Sequence, residues 1–156
     1  MNGRQSGFTL VELIVVIVIL GILAATALPR FINVTGEARS ASVQGMAGSL
    51  RSAAAVVQAK WFAVGSSGAS TVTTADGQTV TVGTGSGNDA GLPLHAGAHN
   101  GITVAARCES NTACQGFAVS NAGTVATFTP SGGSASCQVT YDSSNGTVTP
   151  TVTNCN

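Results

Sequence analysis

Charge is scarce in this chain: only 8% of residues are charged, six basic residues balance six acidic ones, and the formal net charge is zero. A nucleic-acid-binding protein needs a basic stripe against the phosphates, and none is visible, so no nucleic acid is expected as a partner of the single chain. Aromatic residues make up 4%, too few for a base-stacking strip. Histidine is limited to His95 and His99, close together in "LPLHAGAHNG". Their i, i+4 spacing suits a metal pair on a helix, yet Pro93, Gly97 and Gly101 make a helix improbable there, and a surface loop is expected. No serine triad or acid pair can be assembled, so no catalytic site is expected and the chain reads as a non-enzyme. "GTGSG" lacks the lysine and the following helix of a phosphate loop, and Asp76, Asp89 and Asp142 are too scattered for a calcium loop, so neither cofactor nor metal is expected.

Cysteine is confined to the C-terminal third, as Cys108, Cys114, Cys137 and Cys155. The Cys-x2-Cys spacing of zinc sites is absent, and an even number suits disulfides in an exported domain. Three pairings exist on paper, and a reduced cytosolic chain would leave four thiols. Cys108–Cys114 and Cys137–Cys155 are the preferred pairs, since each closes one loop without crossing the other.

What the chain does have is one long apolar run. Phe8 to Leu28 is 21 residues, enough to cross a hydrocarbon core of about 30 Å at roughly 1.5 Å per helical residue. A cleaved secretory signal has a shorter apolar region followed by a small-residue site, which "AATA" imitates; a plain uncleaved anchor is the other simple reading. The charge of Arg4 and the terminal amine keep the leader cytoplasmic in either case. Neither reading accounts for Glu12, because a carboxylate deep in a membrane helix costs on the order of 2.5–3.5 kcal/mol. An acid kept there is expected to have a partner.

The stretch "GFTLVELIVVIVILGILAATALPRF" resembles the N-terminus of type IV pilins and of type II secretion pseudopilins, whose hallmark is Gly, an aromatic residue, Thr-Leu-x-Glu and a long apolar helix. Close matching covers about the first sixty residues. The resemblance implies a class III prepilin leader, residues 1–7, cut between Gly7 and Phe8 by a prepilin peptidase, with N-methylation of Phe8. It implies that Glu12 pairs with the terminal amine of a neighbouring subunit, and that Pro29 allows local bending or melting when subunits pack; a simple kink is the other reading of Pro29. Pairing the two charges offsets their desolvation and acts as a register pin.

Residues 8–29 are therefore expected as a membrane and filament-core helix. Residues 30–62 follow as an amphipathic continuation, because Val43, Met46, Leu50, Ala54, Val57 and Trp61 recur every three or four positions. Glu37 and Arg39 are expected to stay solvated or to meet neighbouring subunits. "AVGSSGAS" breaks the helix, and residues 63–156 read as a β-rich head whose C-terminal region is closed by disulfide. "STVTTADGQTVTV" predicts a hairpin at Asp76-Gly77 and "SSNGTVTPTV" another at Asn145-Gly146. Residues 83–101 are loop-like. "GITVAARC", "GFAVSN", "TVATFTP" and "CQVTYD" predict strands, and Pro150 demotes the last strand to an edge. The predicted fold is α+β, one long N-terminal helix packed on an antiparallel sheet. Asn33-Val-Thr35 and Asn145-Gly-Thr147 match the glycosylation triplet, which is common by chance.

The function implied is that of a structural subunit, held in the bacterial inner membrane and then polymerised as a homo-oligomer into an extracellular type IV pilus for attachment or motility. The short leader and the late cysteine pair are most like mannose-sensitive haemagglutinin-type major pilins. An assembly platform and a separate ATPase motor are implied as partners, since no nucleotide motif lies in this chain. The alternatives are a type II secretion pseudopilin, whose frequent calcium motif is not found here, and a minor pilin with a ligand- or DNA-binding head.

Overall fold

The computed structural model describes residues 7–65, 68–84, 88–94 and 100–156, with residues 28–33 described by backbone alone. His95, His99 and part of the "GTGSG" stretch lie outside the described residues. The architecture is α+β, as the patterning predicts: among the described residues one long helix, α1 (Leu10–Ala63, 54 residues), precedes seven strands and one short helix. At 1.5 Å per residue α1 is about 80 Å long. It runs unbroken through Pro29. It stops where Gly65 adopts φ +66, a left-handed conformation open to a residue without Cβ, and the Gly65 amide donates to the Phe62 carbonyl. Lys60 in the last turn complements the negative end of the helix dipole.

Two sheets lie against the C-terminal half of α1. β1 (Thr71–Thr73) and β2 (Thr79–Thr81) form an antiparallel hairpin, and Gly77 supplies the positive φ that its turn requires. β3 (Ala113–Cys114), β4 (Phe117–Ala122), β5 (Val125–Pro130), β6 (Cys137–Asp142) and β7 (Thr147–Val152) form a five-stranded antiparallel sheet in sequential order. β7, which contains Pro150, is an edge, where a missing N–H costs no interior ladder bond.

The buried side of this sheet follows from strict alternation. Phe117 and Val119 of β4, Ala126 and Phe128 of β5, Cys137, Val139 and Tyr141 of β6, and Val148 of β7 are all buried. In register, Val119 opposes Phe128, Phe128 opposes Val139, and Tyr141 opposes Val148. From the helix, Val43, Met46, Ala47, Leu50 and Ala54 complete this core. One and two turns further along, Val57 and Trp61 join Val72, Val80, Val82 and Val104 in a second cluster under the hairpin. The three- and four-residue spacing read from the sequence is the stripe that is buried.

Polar side chains fasten the helix to the sheet. Arg39 Nη1 donates to the Cys155 carbonyl at 3.1 Å, and Arg51 Nη2 donates to the Val148 carbonyl at 2.9 Å. Gln58 and Trp61 donate in the same way to the carbonyls of Ala90 and Ala69. Arg39 thus departs from the expectation that it stays solvated or serves a neighbour, because the Cys155 carbonyl of the C-terminal segment offers it an intrachain acceptor. Glu37 is exposed.

One predicted strand is a helix. Within "GITVAARC", Ile102–Ala105 forms a single helical turn, α2. A strand would send Ile102 and Val104 to one face, whereas the turn buries Ile102 in the first cluster and Val104 in the second. Gly101 lies against the Leu94 carbonyl, where a Cβ would clash. Tertiary packing has overridden the β-branched propensity of Ile-Thr-Val.

Tyr141 is fully buried and its hydroxyl donates to the Pro93 carbonyl at 2.7 Å, tying the loop before α2 to the sheet. Burial raises its pKa above the ordinary phenol value, with the charge of Asp142 adding to the effect. Tyr141→Phe leaves that carbonyl buried without its donor and is expected to lower unfolding stability by about 1–3 kcal/mol. Denaturant titration of the oxidised protein, followed by circular dichroism, measures this.

Candidate functional site

The candidate site is the first turn of α1. Thr9 is the N-cap, with extended backbone at φ −79° and ψ 149°. Its hydroxyl accepts from the Glu12 amide at 3.2 Å. In return, Glu12 Oε2 accepts from the Thr9 amide at 3.3 Å and from the Thr9 hydroxyl at 3.2 Å. This is a reciprocal capping box, which satisfies donors that a helix start otherwise leaves unpaired, and it sets the carboxylate at the positive end of the helix dipole. Glu12 therefore has a partner inside its own chain. The signal was present in the sequence as Thr-x-x-Glu ahead of an apolar run, and a reading centred on an intersubunit partner for Glu12 passes over Thr9.

Gly7 and Phe8 lie just outside the helix, and the Phe8 side chain is exposed. Pro29 is seventeen residues beyond Glu12 in the same helix, about 25 Å along its axis. The structure thus brings Gly7, Phe8, Thr9 and Glu12 together at one tip and keeps Pro29 apart.

Between the tip and the head, Leu10–Ala27 has a mean hydropathy of 2.8 over 18 residues, and none of it is buried within the chain. Leu10, Val11, Leu13, Ile14, Val15, Val16 and their successors to Leu23 present apolar surface around the whole circumference. A helix that is hydrophobic all round is made for an apolar environment. Its length and composition suffice to cross a membrane.

In the head, disulfides join Cys108 to Cys114 and Cys137 to Cys155. The first closes a tight loop flanked by Arg107 and Gln115, both at positive φ. The second ties the start of β6 to the tail that Arg39 holds against α1. Asp142 Oδ1 accepts from the Ser144 amide and hydroxyl in the β6–β7 turn, while Asp89 lies against Gly83. Among the described residues no group of three or more His, Cys, Asp or Glu side chains is placed to hold a metal ion.

Asp76, in the β1–β2 turn, accepts from Arg107 at 3.1 Å. The Thr74 hydroxyl, its own backbone amide and then the Arg107 guanidinium hold its carboxyl below the ordinary value of 3.8. A depressed folded-state pKa means the tie is fully present above the unfolded value and is lost as pH falls through the folded one. The protection factors of the Thr71–Thr81 amides, taken against intrinsic exchange at each pH, are therefore expected to fall below about pH 3.8, while those of the five-stranded sheet hold; a hairpin insensitive to that titration would show that the pair is idle.

Comparison with known proteins bears on the same tip. Residues 2–28 match the family model described as the prokaryotic N-terminal methylation motif. The chain is 54% identical over 59 residues to the type IV narrow pilus major component of Thermus thermophilus, covering 36% of this chain and 51% of that protein. It is 42% identical over 53 residues to a type IV major fimbrial protein of Dichelobacter nodosus, covering 34% of each. It is also 56% identical over 39 residues to a type IV major pilin protein of Neisseria gonorrhoeae, covering 25% of this chain and 24% of that protein. The chain thus spans about half the length of the first of these relatives and a third or less of the others. No solved structure matches it significantly. Residues 2–28 thus carry the methylation motif, and part of the chain is similar to part of three proteins that build type IV pili or fimbriae.

Proposed function

We propose that this chain is a structural subunit of a type IV pilus, held by α1 in the inner membrane until it is polymerised. The observation that carries the reading is the apolar half of α1: a span matching the methylation motif, with none of its Leu10–Ala27 window covered by the rest of the chain. Such a surface needs a second apolar environment, and there are two in sequence, lipid before assembly and the helices of neighbouring subunits after it. Burying one Leu, Ile or Val side chain contributes about 1.5–3 kcal/mol, so a bundle of such helices is strongly cohesive. The role is structural, and extraction from the membrane draws on a platform and an ATPase motor supplied by other proteins.

In this reading the leader is removed between Gly7 and Phe8, and Phe8 is then N-methylated. Hydrolysis creates an amine at Phe8 close along the chain to Glu12. Glu12 already takes two hydrogen bonds from Thr9 through one carboxylate oxygen, and a carboxylate has acceptor capacity for a further cation. A neighbouring subunit's amine docking there would neutralise a charge that the apolar filament core otherwise leaves unpaired. Pro29 supplies a position where the helix lacks an amide donor and can loosen on packing.

Two measurements test this. Mass analysis of the mature N-terminus should find methylated Phe8 as the first residue; a chain beginning at Met1, or beyond Ala27, rules out the processing. Glu12→Val should insert into the membrane normally yet reduce fibres sheared from the cell surface at least about tenfold, since an unpaired amine is then buried. Undiminished fibre yield from that variant would refute the pin.

A further inference from the structure

We propose that Thr9 is a positioning residue for leader removal: by closing the capping box it stops α1 short of the scissile bond and keeps the Gly7–Phe8 peptide outside the helix. The inference rests on the processing reading above and extends it to a residue whose side chain that reading leaves unused.

Cleavage is a hydrolysis. The amide C–N bond between Gly7 and Phe8 breaks, one water is consumed, and the products are a carboxylate on Gly7 and an ammonium on Phe8. A peptide carbonyl and amide locked in a helical turn are shielded from a peptidase cleft, whereas an exposed, non-helical segment can be laid into it. Residues 7–9 have that form: they precede the first helical residue, Thr9 is extended, Phe8 is 85% exposed, and an added Cβ at Gly7 would meet nothing within 4 Å.

The boundary stays there because of Thr9. The apolar run begins at once after it, so the first amides of α1 sit where water is being left behind. Thr9 serves two of them, its hydroxyl accepting from the Glu12 amide and its carbonyl from the Leu13 amide, while Glu12 takes the Thr9 amide. Without the hydroxyl, the Glu12 amide loses its acceptor at the edge of the apolar phase. The cheapest replacement is another turn of helix upstream, whose carbonyls would serve the orphaned amides. That turn would include Phe8 and Gly7. The cap thus separates a helix that must be continuous from a bond that must be open.

The test follows initial rates of leader loss from the full-length precursor in inner-membrane vesicles containing a prepilin peptidase, read by mass. Thr9→Val removes the cap and should slow cleavage roughly fivefold, the population shift expected from losing an ordinary N-cap. Thr9→Ser and Thr9→Asn, which cap as well as Thr or better, should restore the rate to within about twofold of the parent. All variants should resist alkaline extraction equally, showing equal insertion. Cleavage of Thr9→Val at the parental rate overturns the proposal. So does a slow Thr9→Asn beside a fast Thr9→Ser, because the peptidase would then be reading side-chain shape and not the cap. An unaltered precursor that is never cut at Gly7–Phe8 overturns the processing reading itself, an outcome visible in the parent alone.

Discussion

The structure depends on a hydrophobic surface that the chain cannot cover by itself. A continuous helix of 54 residues satisfies its backbone internally, so its first half asks nothing of its surroundings except apolar contact. Every large side chain from Leu10 to Leu23 is exposed, and among the described residues nothing buries the Leu10–Ala27 span. Cover must come from outside the chain, from lipid or from other copies, and the rest of the molecule is arranged so that this half-helix can be offered without unfolding the other half.

That arrangement is made by sharing one helix between two environments. In the second half of α1 the apolar residues narrow to a stripe, and the stripe is divided between two clusters, one under the five-stranded sheet and one under the small hairpin. Both Arg39 and Arg51 reach from the helix to carbonyls of the C-terminal segments, and the Cys137–Cys155 bridge closes the same region. Force applied along α1 would therefore meet hydrogen bonds and a covalent loop near the base of the head. At the other end the capping box gives the helix a defined first residue, which matters because the candidate processing bond, Gly7–Phe8, lies two residues before it.

Much of the fold was legible because its signals are local and periodic. The helical stripe from Val43 to Trp61, the alternation in "TVATFTP" and "CQVTYD", and the Asp-Gly and Asn-Gly turns each follow from spacing of 3.6 or 2 residues and from backbone freedom at glycine. The edge position of β7 followed from Pro150. The misread segment, Ile102–Ala105, is β-branched and short, and nothing in its own composition reveals that two separate clusters must be filled by neighbouring side chains. Arg39 was misjudged for a related reason: its acceptor, the Cys155 carbonyl, lies 116 residues away in sequence. At the candidate site, the apolar run and Glu12 stood out at once. Thr9 did not, although the Thr-x-x-Glu pattern was there, because an acid in an apolar run is a far stronger signal than a threonine before it.

What the sequence alone determined is the part of this protein that requires no fold: an aromatic residue, a threonine, an acid and an apolar run in fixed order, because a helix suited to an apolar phase is specified by consecutive residues. The tertiary structure decided what is non-local. It placed Tyr141 on the Pro93 carbonyl, turned "ITVA" into a helical wedge between two cores, and drew Arg39 and Arg51 onto the last strand and tail. Those contacts join residues far apart in the chain, and their acceptors exist only once the sheet has formed beside the helix.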